Sequence, residues 1–135
     1  MVPDLRAMSR ITVVLGASEK SNRYSNLAVR RLVEAGHSVV AIGKRVGLVG
    51  TLPIVSALPA ATEVDTVTLY LSPDNQQAWH AEILRWRPRR VIFNPGAEDP
   101  RFAARLRASG VDALEACTLV MLATGQYADQ TSRLG

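Results

Sequence analysis

Apolar, β-branched segments alternate with helical segments along most of this 135-residue chain. The predicted strands carry the sequences RITVVLG, HSVVAIG, VDTVTLYL, RVIFN and VDALEA, in chain order between residues 10 and 116. Helical patterns such as the one over residues 24–35 separate them and are long enough to connect parallel strands. This alternation predicts an α/β domain with a doubly wound parallel sheet of five strands and three α/β/α layers.

The segment between the second and third predicted strands, residues 44–63, contains two glycines and two prolines. This composition predicts an irregular crossover, with a short helix near SALPA. The chain length suits one domain, which we expect to span residues 10–127. Residues 1–9 lack the apolar core of a signal peptide, so we expect a disordered lead there and a C-terminal tail over 128–135.

Composition narrows the classes of function. The single cysteine, Cys117, cannot form an internal disulfide, and with His37 and His80 it matches no zinc-binding spacing. No stretch approaches the roughly 20 continuous apolar residues that span a bilayer. We therefore expect a cytoplasmic protein that binds neither metal nor membrane. The residues leave open whether the chain forms a homo-oligomer.

The net charge of +4 suits an anionic partner, either a nucleic acid or a phosphate-rich small molecule. The most basic stretch, RWRPRR at residues 85–90, leads into the fourth strand and so lies at the sheet edge opposite the usual ligand site. We interpret it as a solvated basic face. The aromatic content of 5% also argues against a nucleic-acid partner, because single-strand binders need stacking platforms.

The turn after the first strand has the sequence VVLGASEKSNRYSN, residues 13–26. Gly16, Ser18 and Ser21 occupy the positions of the three glycines in the dinucleotide fingerprint G-x-G-x-x-G. Arg23 and the unpaired N–H groups of the coming helix favour an anion. A nucleophile elbow, G-x-S-x-G, is disfavoured because Lys20 stands where the second glycine belongs. The turn therefore predicts a phosphate site.

The end of the second strand discriminates between nucleotides. Proteins that bind NAD place a carboxylate there for the ribose 2′-hydroxyl, whereas this chain has Lys44 and Arg45. These cations suit an additional phosphate on the adenosine ribose, which NADP carries at the 2′ position and coenzyme A at the 3′ position. After the fourth strand, Pro95 and Gly96 favour a close backbone approach to a ligand. Glu98 there serves either as a hydrogen-bond acceptor or as a complement to the next helix dipole.

Four segments together carry a resemblance: VVLGASEKSNRYSN, LYLSP, IFNPGAE and LEACTLVML. They resemble the CoA-binding domain family, which comprises small Rossmann-like proteins similar to the nucleotide-binding domain of the succinyl-CoA synthetase α subunit. The resemblance covers residues 11 to about 125. It implies binding of coenzyme A or an acyl-CoA, and the lack of an evident base, nucleophile or metal set favours a protein without chemistry of its own.

The resemblance also implies roles for individual residues. By position, they are Gly16, Ala17, Ser18 and Ser21 around the pyrophosphate, Arg23 and Ser25 at its edge, Lys44 at the nucleotide phosphate, Ser72 and Pro73 beside the adenine, and Asn94, Gly96, Ala97 and Glu98 along the pantetheine arm. At the second strand, many relatives have a proline-rich NP segment where this chain has IGKR. The contacts of the adenosine end therefore stay open.

Other functions share parts of this pattern. An NADP-dependent reductase or an NADP sensor would use the same turn and Lys44. A basic nucleic-acid-associated protein would use the arginines of RWRPRR. Cys117 is predicted to lie near the mouth of the sheet at the start of a helix, where thiol pKa values tend to fall. A mixed disulfide between Cys117 and the CoA thiol is a further hypothesis.

Overall fold

The computed structural model describes residues 11–128. Its strands are β1 (Ile11–Leu15), β2 (Ser38–Ile42), β3 (Gly47–Val49), β4 (Leu52–Val55), β5 (Val64–Leu69), β6 (Arg90–Phe93) and β7 (Asp112–Glu115). Its helices are α1 (Tyr24–Glu34), α2 (Pro73–Gln76), α3 (His80–Trp86), α4 (Pro100–Ala108) and α5 (Thr118–Ala123), and a 3₁₀ turn over Gln77–Trp79 joins α2 to α3. The predicted lead and nearly all of the predicted tail lie outside the described residues.

The strands form one sheet in the order β3-β4-β2-β1-β5-β6-β7. All neighbouring pairs are parallel except β3 and β4. Strand order reverses at β1, where Val14 pairs with Ala41 on β2 and with Thr68 on β5. This confirms the Rossmann-like α/β class. It also fixes the edge at which a ligand binds in such sheets, the carboxyl ends of β1 and β5.

The prediction of five strands and a short helix near SALPA is wrong in the segment 44–63. Strands β3 and β4 form an antiparallel hairpin there, with Val49 opposite Leu52, and β4 extends the parallel sheet beside β2. Gly50 supplies the positive φ, 62°, that a two-residue hairpin turn needs. The SALPA residues form bends rather than a helix.

The alternation of side chains along β1 creates two cores, one on each face of the sheet. Val13 and Leu15 are buried against the layer that holds Ile83 of α3 and Phe102 of α4. Val14 is buried on the other face, against the layer formed by α1 and α5. Both faces of the sheet are thus covered by helices, as the apolar strands predict. No helix within residues 11–128 is long and apolar enough to cross a bilayer.

The turn after β1 crosses directly over the end of β2. The N–H groups of Gly16 and Ala17 both donate to the carbonyl oxygen of Ile42, at 2.9 and 2.8 Å. Gly43 makes this crossing sterically feasible, because a Cβ atom there would lie 2.3 Å from the carbonyl oxygen of Ala17. That oxygen is a backbone atom already held by the turn, so it has little room to withdraw.

The RWRPRR stretch begins at the predicted edge, but two of its arginines are structural rather than solvated. Arg89 forms a two-bond ion pair with Asp65, at 2.9 and 3.1 Å. Arg90 is fully buried, donates from Nε to Thr66 Oγ1 at 3.1 Å and lies 4.3 Å from the ring centre of Tyr127. Burial lowers the pKa of Arg90. The interpretation of this stretch as a solvated face is therefore wrong for Arg89 and Arg90.

Replacing Arg90 with alanine should lower the free energy of unfolding by about 3 kcal/mol, because the change removes buried hydrogen bonds and leaves a cavity. Arg85→Ala is the matched control, since the Arg85 side chain is 73% exposed and its loss should change stability by less than about 0.5 kcal/mol. Urea unfolding monitored by circular dichroism gives both values. Equal midpoints for the two variants would contradict the structural role of Arg90.

Gly43→Ala should destabilise the protein by about 2 kcal/mol, since its methyl group forces the crossing chains apart. Gly96→Ala is a useful comparison. Gly96 has a φ of 94°, but a Cβ atom added there would have no neighbouring atom within 4 Å, so its cost of about 1 kcal/mol comes from backbone strain alone. Thermal melts rank the two variants, and a larger loss in Gly96→Ala would show that the crossing tolerates a side chain.

Candidate ligand-binding site

A cleft of about 790 Å³ opens at the carboxyl edge of the sheet, where strand order reverses. Its walls are the turns after β1, β2, β5 and β6. The predicted site residues that line it are Gly16, Ala17, Ser18, Arg23, Ser25, Lys44, Arg45, Ser72, Gly96 and Ala97. Cavities of this size hold cofactors and other small molecules in many proteins. The fold therefore brings most of the predicted residues together in one cavity.

The turn after β1 offers backbone donors at Ser18 and Glu19 rather than at Gly16 and Ala17. Because the Gly16 and Ala17 N–H groups are bound to Ile42, they are not free to hold a phosphate. The N–H groups of Ser18 and Glu19 follow in the same wall, and no acceptor for them lies within residues 11–128. The open N–H groups of this turn are thus those of Ser18 and Glu19, nearer to α1.

Helix α1 begins without a side-chain cap, since its N-cap residue is Arg23. The first helical hydrogen bond runs from the N–H of Leu27 to the carbonyl of Arg23, at 3.2 Å. In the described part of the chain, the preceding N–H groups of Tyr24 and Ser25 have no acceptor, and both residues line the cleft. An open first turn of this kind, together with the helix dipole, attracts anions.

Four cations line the same part of the cleft: Lys20, Arg23, Lys44 and Arg45. None of them forms an ion pair with any residue between 11 and 128. Glu19 is the one acidic residue among those that line the cleft. With four cations and one carboxylate, this end of the cleft carries an excess of positive charge.

Asn94 and Glu98 do not line the cleft, and their side chains are used within the protein. Asn94 is 1% exposed; its Nδ2 donates to Thr68 Oγ1 at 2.7 Å, and its Oδ1 accepts from the Thr118 N–H at 2.8 Å. Glu98 accepts a hydrogen bond from the N–H of Gly96 at 2.7 Å. Asn94 therefore joins β5, β6 and α5 beneath the cleft, and Glu98 shapes its own turn.

Ser21 and Pro73 also lie outside the cleft lining. Ser21 is exposed, and its carbonyl accepts from the side chain of Arg30 at 3.4 Å. Pro73 opens α2, and Ser72 caps that helix through its hydroxyl, which accepts from the Asn75 N–H at 3.4 Å. Pro73 thus acts by starting the helix that carries the neighbouring wall.

Sequence reasoning missed the buried residue that joins the turns after β5 and β6. Gln76 is fully buried, and its Nε2 donates to the carbonyls of Leu71 and Ala97, at 3.1 and 2.8 Å. Its Oε1 accepts from His80 Nε2 at 3.0 Å. Burial lowers the pKa of His80, although Asp99 opposes this effect. A single glutamine in a helix gives no sequence pattern that could have indicated this contact.

The remaining reactive side chains lie away from the cleft or are shielded. His37 packs edge-on against Tyr127 at the opposite end of the sheet, at 4.7 Å between ring centres. Cys117 is half-buried at the N-cap of α5 and is not among the residues that line the cleft. Tyr70 does line it, and burial raises the pKa of its hydroxyl. No cluster of potential metal ligands occurs within residues 11–128.

The chain is similar to several solved structures. A crystal structure of an uncharacterized protein is 41% identical, with a TM-score of 0.83, and covers 87% of this chain and 97% of its own. The structure of cell-free ID.343 from Thermus thermophilus is 25% identical, with a TM-score of 0.77, covering 90% and 96%.

A more distant match is the dinucleotide forming acetyl-coenzyme A synthetase 1 of Ca. Korarchaeum cryptofilum, at 16% identity and a TM-score of 0.66. It covers 83% of this chain but 27% of the synthetase, and at this identity it shows the fold alone. No curated protein has significant similarity to the sequence. The family model described as CoA binding domain matches residues 10–123. The chain therefore belongs to the CoA binding domain family.

Proposed function

We propose that the cleft binds coenzyme A or an acyl-CoA and catalyses no reaction on it. The observation that carries this proposal is the distribution of charge along the cleft. Its cations and open amides lie in the turns after β1 and β2. The residues that line it from the turns after β5 and β6 are all uncharged, namely Tyr70, Leu71, Ser72, Asn75, Trp79, Pro95, Gly96 and Ala97.

Coenzyme A is likewise divided into a charged part and an uncharged part. Its adenosine end carries a diphosphate and a 3′-phosphate, and its pantetheine arm is neutral. The amides of Ser18, Glu19 and the first turn of α1 suit the diphosphate, because such groups bind phosphate oxygens directly. Lys44 and Arg45, in the neighbouring turn, suit the ribose phosphate. The half-buried Trp79 and the backbone of Gly96 offer an uncharged surface to the arm.

The placement of the titratable residues supports binding without chemistry. A proton-transfer group must reach the reacting atoms and exchange its proton near the working pH. His80 is bound to Gln76 beneath the wall, and His37 lies at the far edge of the sheet. The Ser18 hydroxyl accepts a hydrogen bond from the N–H of Lys20 at 3.1 Å, and neither His37 nor His80 lines the cleft to take its proton. The single cysteine suits a reducing compartment, so the protein is proposed to act in the cytoplasm.

An NADP-binding protein is the second candidate, because Lys44 and Arg45 would suit a 2′-phosphate equally well. The uncharged wall gives no reason to prefer a nicotinamide over a pantetheine arm. The family favours coenzyme A. Affinities for the two cofactors therefore decide between these candidates.

Isothermal titration calorimetry with CoA, dephospho-CoA and NADP tests the proposal. CoA should bind more tightly than either of the others. Lys44→Ala should lower the affinity for CoA about tenfold, which corresponds to the loss of one charge-assisted contact. The affinity for dephospho-CoA should stay nearly unchanged, because that ligand lacks the 3′-phosphate. Arg85→Ala, at the opposite edge of the sheet, is the matched charge control and should bind all three as the wild type does.

Two results would overturn the proposal. NADP binding more tightly than CoA would favour the reductase or sensor, and the absence of heat with both CoA and acetyl-CoA would remove coenzyme A as the ligand. Incubation of the protein with acetyl-CoA, followed by chromatography of the cofactor, tests the lack of catalysis. Intact acetyl-CoA is the expected result, and accumulation of free CoA above the protein-free rate would contradict it.

A further inference from the structure

We propose that Asn26 and Arg30, two residues of α1 outside the cleft lining, are positioning residues that aim a backbone donor of the turn at the diphosphate. The inference rests on the proposed function, since it concerns how the same cleft holds that group. Neither side chain needs to touch the ligand. Their effect passes through the peptide bond between Ser18 and Glu19.

Asn26 is 4% exposed, and its Nδ2 donates to the carbonyl oxygen of Ser18 at 2.9 Å. In a planar trans peptide, the carbonyl and the following N–H point in opposite directions. The bond from Asn26 therefore turns the Glu19 N–H away from Asn26. Glu19 lines the cleft, and that N–H has no acceptor within residues 11–128. That N–H is therefore free to donate to a ligand.

Arg30 fixes the orientation of the Asn26 amide. Its Nε donates to Asn26 Oδ1 at 2.8 Å, so the NH₂ end of that amide must face Ser18. The Nη2 atom of Arg30 donates to the carbonyl of Ser21 at 3.4 Å. This longer contact ties the guanidinium to the next part of the same turn. One guanidinium thus connects to the turn at two points, directly and through Asn26.

The consequence for binding is electrostatic and geometric. A peptide that presents its N–H attracts a phosphate oxygen, whereas the same peptide rotated would present a carbonyl and repel it. A side chain that holds the peptide in advance removes the cost of ordering it when the ligand binds. Loss of Asn26 or Arg30 should therefore lower the affinity for any ligand that carries the diphosphate, whether or not that ligand has a ribose phosphate.

The positive charge of Arg30 would by itself favour an anionic ligand, so the test must separate charge from geometry. Arg30→Lys keeps the charge, but a single ammonium on a flexible stem does not reproduce the fixed fork of the guanidinium. Asn26→Ala removes the donor to Ser18 without changing charge. Arg31→Ala is the matched control, because Arg31 lies on the same helix, is 53% exposed in its side chain and pairs with Glu34.

Calorimetry should show that Arg30→Lys and Asn26→Ala each lower the affinity for CoA about tenfold. The affinity for dephospho-CoA should fall by the same factor. Arg31→Ala should match the wild type. In ¹H–¹⁵N spectra, the Glu19 amide signal should shift strongly when CoA is added to the wild type and weakly in Asn26→Ala. Thermal melts of the free variants check that they are folded.

The possible outcomes are distinct. If Arg30→Lys binds CoA as tightly as the wild type, only the charge of Arg30 matters and the inference is overturned. The inference is also overturned if the Glu19 amide signal of folded Asn26→Ala shifts on addition of CoA as much as that of the wild type. Should Asn26→Ala fail to fold, Arg30→Lys decides alone. If the wild type binds CoA and the Asn26→Ala and Arg30→Lys variants bind it equally tightly, only the positioning role is refuted. A wild type that binds neither ligand refutes the proposed function and this inference with it.

Discussion

The double hydrogen bond at the carbonyl of Ile42 is the contact on which the geometry of the cleft depends. It brings the turn after β1 to the end of β2, using the N–H groups of Gly16 and Ala17 to do so. Two effects follow. The donors of the turn that stay open include those of Ser18 and Glu19, and Lys44 and Arg45, which follow Ile42 closely in sequence, share a cleft with them. Gly43 is the steric condition for this arrangement, because only a residue without a Cβ atom lets Ala17 pass so closely.

The two walls of the cleft are held by different means. On the charged side, side chains of α1 bind turn carbonyls from behind, as Asn26 does with Ser18. On the uncharged side, Gln76 joins the carbonyls of Leu71 and Ala97. In both cases a buried or nearly buried amide uses its NH₂ group on main-chain oxygens. Since a buried carbonyl without a donor is costly, these amides hold each turn in one conformation before any ligand arrives.

The sequence predicted the layers of this fold better than the details of its site. The β-branched run at β1 required burial on both faces, and the structure has helices on both. The hairpin of β3 and β4 was missed because its glycines and prolines are typical of loops, although Gly50 between two apolar pairs is also a hairpin signal. The burial of Arg90 and Asn94 was not predicted for a different reason. Polar residues are mostly exposed, and only the three-dimensional partners, Thr66 and Tyr127 for the one and Thr68 and Thr118 for the other, show that these two are buried.

The same contacts bear on the proposal that the site binds a ligand without catalysis. Two side chains that could transfer protons or attack a substrate make contacts within the protein: His80 bonds to Gln76, and the Ser18 hydroxyl accepts from the Lys20 N–H. The cleft leaves open backbone amides, arginines and exposed lysines, and its one lining carboxylate is that of Glu19. Amides and guanidinium groups keep their protons in proteins, and lysines that act as nucleophiles are desolvated, unlike Lys44. Groups of this kind suit the binding of a phosphate.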